Sequence, residues 1–283
     1  MRLMDWKIHV LYLGDITIPK AMGTMGLDIN LVFPAPYLGF LLESGTRRIL
    51  VDTGIHSRFI VNGKAWAGAP AQGGESFLLE ALKKHQTSQE EIETVLYTHL
   101  HNDHAGNGHL FPQALHVFHY DEWNELVNPL PSMRIRQDFD PAVIPILETF
   151  RCRKVLGDGE FTDGIRYYHT PGHTIGGLTF AIDTTDGSYV IPGDIINIYQ
   201  NLFPRMSWML GLDGNRFDIT PAPDRYGPLG VPSGVLYDHY AWYRSIWKIR
   251  GLLKTPKHLL PCHDPAISGK TFPGDSIDLD IPE

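Results

Sequence analysis

Four side chains that bind metal ions well crowd into one short stretch of this chain, Thr98-His99-Leu100-His101-Asn102-Asp103-His104. They are His99, His101, Asp103 and His104. Any one of these histidines alone reads as a surface or satisfied core residue. Four such residues together without an ion would leave imidazoles and a carboxylate competing for partners, at a large desolvation cost. Ligand number and spacing therefore point to a metal centre. The run ahead of it, Ile92-Glu93-Thr94-Val95-Leu96-Tyr97, is short, β-branched and apolar, and predicts a strand. Alternate residues of an extended chain face the same way, so His99 and His101 project together where that strand ends. A turn then carries Asp103 and His104 to a second pole, the geometry of a two-metal centre. Two divalent ions about 3.5–4 Å apart lower the pKa of a shared water towards roughly 7 and supply hydroxide at neutral pH. Nitrogen and oxygen donors favour zinc, with iron, manganese or cobalt fitting the same cage.

Three later segments end in a potential ligand: Thr170-Pro171-Gly172-His173-Thr174, Val190-Ile191-Pro192-Gly193-Asp194 and Leu259-Leu260-Pro261-Cys262-His263-Asp264-Pro265. Each couples a strand to a sharp turn and then to His or Asp. Strand ends are where rigid scaffolds place chemistry while loops give access. Asp52, in Asp52-Thr53-Gly54, reads equally as a turn former or as the residue that orients a ligand histidine.

The elements that must position these residues are legible in outline. Strands are predicted over 6–13, 37–43 and 48–51, the last two forming a hairpin through Ser44-Gly45-Thr46. Helical spacing covers 74–84, and Ser88-Gln89-Glu90-Glu91 is a capping box. A strand at 116–118 precedes a helix at 120–127. Irregular chain follows over 128–140, and strands resume at 165–169, 178–182 and 189–191. Two segments stand out as long loops or insertions, 18–36 and 202–230. The second holds Phe203, Met206, Trp208, Met209, Leu210, Phe217 and Tyr226 among glycines and prolines. It reads either as an apolar lid, which with Met22 and Met25 would suit a hydrophobic or cyclic small substrate, or as a core-covering or dimer-forming loop. A helix over 235–253 carries Arg244, Lys248 and Arg250 on a solvated face.

No internal repeat, low-complexity tract or linker divides the 283 residues, so one domain spanning 1–283 is expected. Composition is that of a soluble enzyme, 43% hydrophobic and 20% charged. A net charge of −8 without a basic run counts against nucleic acid. Two cysteines, Cys152 and Cys262, are too few for a disulfide framework. No apolar stretch approaches the ~20 residues of a membrane span, and nothing at the N-terminus reads as a signal peptide. A cytoplasmic location follows by default.

His-x-His-x-Asp-His, then Pro-Gly-His, Gly-Asp and a late His-Asp together resemble the metallo-β-lactamase superfamily, with the match running from Asp52 to Pro265. The resemblance implies an α+β fold, an αββα four-layer sandwich with the site at the sheet edges. It implies His99, His101 and His173 on one metal, Asp103, His104 and His263 on the second, and Asp194 bridging both. His169 and Asp264 sit near these ligands and read either as support or as residues without a role. The remaining histidines match nothing in the pattern. True β-lactamases of the family generally lack the bridging aspartate, so Asp194 speaks against antibiotic hydrolysis. The flavin-linked di-iron branch has glutamate where His101 stands.

Within the superfamily the chain is similar to the N-acyl homoserine lactonases, through Ile195-Ile196-Asn197-Ile198-Tyr199-Gln200-Asn201, Pro232-Ser233-Gly234, Ser245, Ile249 and the segment from Leu260 to Pro265. Those lactonases usually carry a tyrosine three residues after the bridging aspartate, aimed at the substrate carbonyl. Here Asn197 holds that position and Tyr199 is the nearest phenol. The resemblance implies hydroxide attack on a lactone carbonyl, Asp103 moving the proton and Asn197 or Tyr199 as an extra donor. A thioesterase of the glyoxalase II kind, or a hydrolase of another cyclic ester or amide, is the alternative enzyme. A metal-binding sensor or inactive scaffold is the alternative from another class.

Overall fold

In the computed structural model, residues 5–224 and 229–281 are described. Tyr226, part of the aromatic stretch singled out above, lies outside them.

The chain opens on two long strands, β1 (Lys7–Pro19) and β2 (Val32–Ser44), continued by β3 (Arg47–Val51). They reach well into the segment expected as a loop over 18–36, which shrinks to a link at 20–31. Pro34 and Pro36 hid this extension, because proline donates nothing to a ladder. Both lie where β2 pairs with β1 and β3 has not yet begun, since β3 pairs only with Phe40 to Ser44. On that edge a missing N–H costs little. The link itself is fixed by the buried Lys20, whose ammonium bonds Thr24 at 2.9 Å, Asp28 at 2.7 Å and Gln200.

Next come the short β4 (Ala71–Gly73), α1 (Glu75–Lys84), β5 (Thr94–Leu96), α2 (Asn102–Ala105), β6 (Leu115–His119) and α3 (Tyr120–Val127). The capping box is present, with Ser88 N–H donating to Glu91 at 2.7 Å, but it opens only a single 3₁₀ turn. The region 128–140 is less irregular than expected. Pro131, pre-set for a first helical position, starts α4 (Pro131–Arg136). After α5 (Val143–Thr149) come β7 (Arg151–Val155), β8 (Gly159–Thr162), β9 (Ile165–His169), β10 (Leu178–Thr184) and β11 (Gly187–Ile191). A short α6 (Tyr199–Leu202) leads to a small hairpin, β12 (Trp208–Leu210) and β13 (Arg216–Asp218). The chain closes with α7 (His239–Leu252) and β14 (Thr271–Phe272). Helix α7 begins later than its periodicity predicts because Asp238 caps it, accepting from Tyr240 N and Ala241 N at 2.8 and 3.0 Å.

One sheet runs β14-β1-β2-β3-β5-β6-β7 with β4 beside β1, and the other β11-β10-β9-β8. A single apolar cluster joins them, from Ile8, Phe40 and Val95 to Phe180 and Ile191, all fully buried. Helices α1, α3 and α5 pack on strands of the large sheet, while α7 packs on the turn that follows β11. This is the αββα arrangement of an α+β fold. The late segment before His263 is not a strand but one parallel bridge, Val190 to Leu259, because Pro261 has no N–H to extend it.

Candidate metal centre and cavity

Strands β3 and β5 run parallel, so Asp52 and Thr98 emerge side by side at one sheet edge. Thr98 carbonyl accepts from Leu178 N at 2.7 Å, which ties this edge to the second sheet. There the turns carrying His173 and Asp194 arrive. Gly193 makes the second turn possible: its φ is +63°, and a Cβ would lie 2.8 Å from that of Thr98.

The expected ligands converge in two adjacent groups, His99, His101 and His173 in one and Asp103, His104, Asp194 and His263 in the other. Within each group the candidate donor atoms all lie within 4.8 Å of one another. His101 Nδ1 and His173 Nε2 are 3.0 Å apart. Asp194 stands between the groups. One carboxylate oxygen is 3.2 Å from His104 Nε2, and the other is 3.1 Å from His263 Nε2 and 3.6 Å from His173 Nε2. Asp103 reaches to 3.9 Å from both His104 Nε2 and His263 Nε2, and it is the most open of the set.

These donors fit metal ions. Buried polar atoms are nearly always hydrogen-bonded, yet His99 Nε2, His104 Nε2 and Asp194 Oδ1 are buried here without such a partner. Their charge balance agrees. Burial, together with the neighbouring imidazoles, holds His99 and His101 well below the usual histidine range and so keeps their lone pairs free. Burial opposes charge on His104 and His263 as well, but the Asp194 and Asp103 carboxylates outweigh it and raise both. For Asp194 the signs reverse: burial pushes its carboxyl up, and His263 with His104 holds it well below the carboxylate range. The site is built to hold positive charge.

Neighbours lock His104, His173 and His263 in place. Asp52 accepts from His104 Nδ1 at 2.8 Å and from Thr98 N and Oγ1 at 2.8 and 2.7 Å, so it orients a ligand as well as turning the chain. It does so at φ +59°, a left-handed conformation that aspartate tolerates better than most residues. His173 Nδ1 faces Val235 O at 2.9 Å and His263 Nδ1 faces Pro36 O at 2.8 Å, so in each Nε2 points at the centre. Helix α7 clamps the two glycine turns. Ser245 donates to Pro171 O and Trp242 to Ile195 O, each at 2.7 Å.

Sequence reasoning missed Glu122. It is fully buried on α3 and accepts from Leu100 N at 2.8 Å and Gly176 N at 3.0 Å, joining the first ligand loop to the loop of His173. Burial pushes its carboxyl up to about 7. The only available signal was an acidic residue inside an amphipathic helix, which has a bland reading by default.

Above the ligands lies a cavity of about 670 Å³, with His101, Asp103, His173, Asp194 and His263 on its floor. Ile16, Ile18, Phe33, Ala35 and Tyr37 form one wall, from matching faces of β1 and β2. Phe59, Val61 and Trp66 form a second, and Ile135 to Asp138, the end of α4 and the two residues after it, close the side. Asn197 lines the cavity as expected. Tyr199 does not: it is fully buried, and its hydroxyl donates to Leu259 O at 2.5 Å. Helix α6 turns it away from the floor, so it offers the site nothing. Nor do the described residues of 202–230 act as a lid. Leu202, Met206 and Met209 are buried in the core, and no described residue of that stretch lines the cavity. From the link at 20–31, Met22 lines it while Met25 faces solvent. His169 stacks on His119, and Asp264 accepts from Tyr199 N at 2.9 Å.

Two further groupings occur among the described residues, His56-Glu75-His109 and His119-Asp121-His169. In both, ring nitrogens are already engaged by backbone: His56 and His119 accept from Arg58 N and Asp121 N at 3.1 and 3.2 Å.

No helix among the described residues is long and apolar enough to cross a membrane.

The model of the Metallo-beta-lactamase superfamily matches residues 34–253. An N-acyl homoserine lactonase, AiiB of Rhizobium rhizogenes, is 34% identical over 262 residues, covering 87% of this chain and 89% of its own. A solved structure of N-acyl homoserine lactone hydrolase, with the product N-hexanoyl-L-homoserine at its catalytic metal center, superposes with a TM-score of 0.71 at 20% identity. It covers 93% of this chain and 94% of its own. The structure of AidC, a dizinc quorum-quenching lactonase, gives a TM-score of 0.66 at 16% identity over 100% of this chain and 96% of its own.

Proposed function

The chain belongs to the metallo-beta-lactamase superfamily, and from that premise we propose that it is a metal-dependent hydrolase that opens lactone rings, with N-acyl homoserine lactones as its substrate class. The observation that carries this reading is one juxtaposition. Seven metal-competent donors meet at the base of a cavity, five of them lining it, whose walls are largely apolar and whose volume, about 670 Å³, takes a ring with an acyl tail. The 34% identity to an N-acyl homoserine lactonase across most of both chains supports the same class.

His99, His101 and His173 would hold one divalent ion and Asp103, His104 and His263 a second, with Asp194 shared; zinc suits these donors. Ions so held supply Lewis acidity, which acidifies water towards neutral pH and stabilises charge on a carbonyl oxygen. The chain's own residues do the rest. Asp103, open to the cavity, carries a proton from the attacking water to the departing alkoxide. Asn197 offers its side-chain amide to the carbonyl oxygen. The apolar wall side chains seat the acyl chain, and α7 keeps the turns of His173 and Asp194 rigid.

The test is a hydrolysis assay of the metal-loaded protein on N-hexanoyl and N-decanoyl homoserine lactones beside acyl-glutathione and acyl-CoA. Turnover of the lactones, abolished by chelation and restored by zinc, is the expected outcome. Preference for the thioesters would replace this reading with a thioesterase. Loaded protein inert on the whole panel would return it to a sensor or scaffold.

A further inference from the structure

One hydroxyl on the cavity wall has no partner among the described residues. Tyr37, on β2, is 3% exposed and lines the cavity. Its ring stands edge-on to that of His263, with centroids 6.1 Å apart, and the Asp103 carboxylate lies within its electrostatic reach. Among the described residues, nothing in the protein hydrogen-bonds to its oxygen. The fully buried tyrosines differ. Tyr97 pairs with His116 Nδ1 at 2.9 Å, and Tyr199 donates to Leu259 O at 2.5 Å. A buried phenol normally finds a protein partner, because leaving it without one costs free energy. Packing needs only the ring, which a phenylalanine would supply. An unpaired hydroxyl opening on a cavity, beside two metal-competent side chains, is therefore placed for a ligand.

We infer that Tyr37 is a catalytic hydrogen-bond donor, giving its O–H to the lactone oxygen on which negative charge develops. This rests on the lactone reading above. Water adds its oxygen to the carbonyl carbon, the ring C–O bond breaks, and the water proton passes through Asp103 to the departing alkoxide. The phenol keeps its own proton throughout. Tyr37 and Asn197 then face the substrate from different elements, β2 and the segment after Asp194. Asn197 stands where the resemblance expects a tyrosine, and a phenol reaches the cavity from a strand far away in sequence.

Tyr37→Phe deletes one oxygen and keeps the ring against His263. It is to be compared with wild type, both metal-loaded, in turnover of N-hexanoyl homoserine lactone, in affinity for the ring-opened product by calorimetry, and in Tm. The inference predicts kcat lower by about 10²- to 10³-fold, KM within about threefold, and product bound about tenfold more weakly. Tm should be unchanged or higher, since no protein bond is lost. A kcat within about twofold of wild type overturns the inference while leaving the lactone reading intact. So does a variant that unfolds or melts several degrees lower, because the hydroxyl then serves the fold. A wild type that opens no lactone overturns both.

Discussion

The floor and the walls of the cavity are built on opposite principles. The floor is polar and shut in: His99, His101 and His104 are at most 7% exposed, and every ligand turn is tied down by a neighbour such as Asp52, Glu122 or Ser245. The walls are apolar and partly open, with Val61 64% and Ile135 84% exposed. They come from strand extensions and loops that touch the floor through few bonds, such as His263 Nδ1 to Pro36 O and Asn102 N to Asp138 O, both 2.8 Å. A rigid floor fixes the chemistry, whereas a wall of loops can change what fits without disturbing it. Floor substitutions should therefore act on kcat and metal, and substitutions of apolar wall side chains on KM and chain-length preference; the Tyr37 hydroxyl is the one wall group assigned to the chemistry.

The contrast breaks most visibly at Asp103. Asp103→Asn should lower kcat by about 10²- to 10⁴-fold while metal content, measured by elemental analysis, stays near wild type. An unchanged kcat would remove Asp103 from proton transfer. Next in size is Asp52→Asn, one layer below the ligands. It should weaken metal binding by about 10- to 100-fold in chelator competition, with KM barely moved at saturating zinc. On the wall, Phe33→Ala and Trp66→Ala should raise KM for N-decanoyl homoserine lactone by about tenfold and for the hexanoyl compound by less, with kcat held. Equal effects on both substrates would dissolve the division between floor and wall.

Met209→Ala sharpens the boundary from outside. Met209 is buried away from the cavity, so denaturant titration should show a loss of about 2–5 kcal/mol with the ratio of the two KM values unchanged. The last prediction concerns Glu122, whose carboxyl is pushed up to about 7 in the fold against about 4.3 unfolded. Between those values the folded state holds the proton more firmly, so stability drops as pH rises through the window. Relative to Glu122→Gln, wild type should lose stability from about pH 4.5 to about 7 and change little above it. Parallel pH curves for the two proteins would contradict that.

The floor was legible in the sequence and the walls were not, for a physical reason. Metal ligation demands particular atoms at strand ends, so His99, His101, Asp103 and His104 sit together, and the Pro-Gly-His and Gly-Asp turns mark the rest. The structure brings all seven together. Apolar walls need only bulk and a shared face. Phe33 and Ala35 acquire theirs from pairing with β1, and Pro34 and Pro36 disguise the alternation. The aromatic stretch over 202–230 had the composition of a lid, but composition does not say which side a side chain faces. Tyr199 failed likewise: proximity in sequence to Asp194 did not decide which way α6 turned it. Glu122 was invisible because its partners are backbone groups of distant loops.

Elemental analysis of metal-replete, extensively dialysed protein, wild type beside Asp194→Ala, tests the central claim most directly. A floor of the kind described retains about two divalent ions per chain in wild type and loses at least one of them when the shared carboxylate is removed. Protein that keeps none, or an Asp194→Ala variant that keeps as many as wild type, would contradict the account at its base.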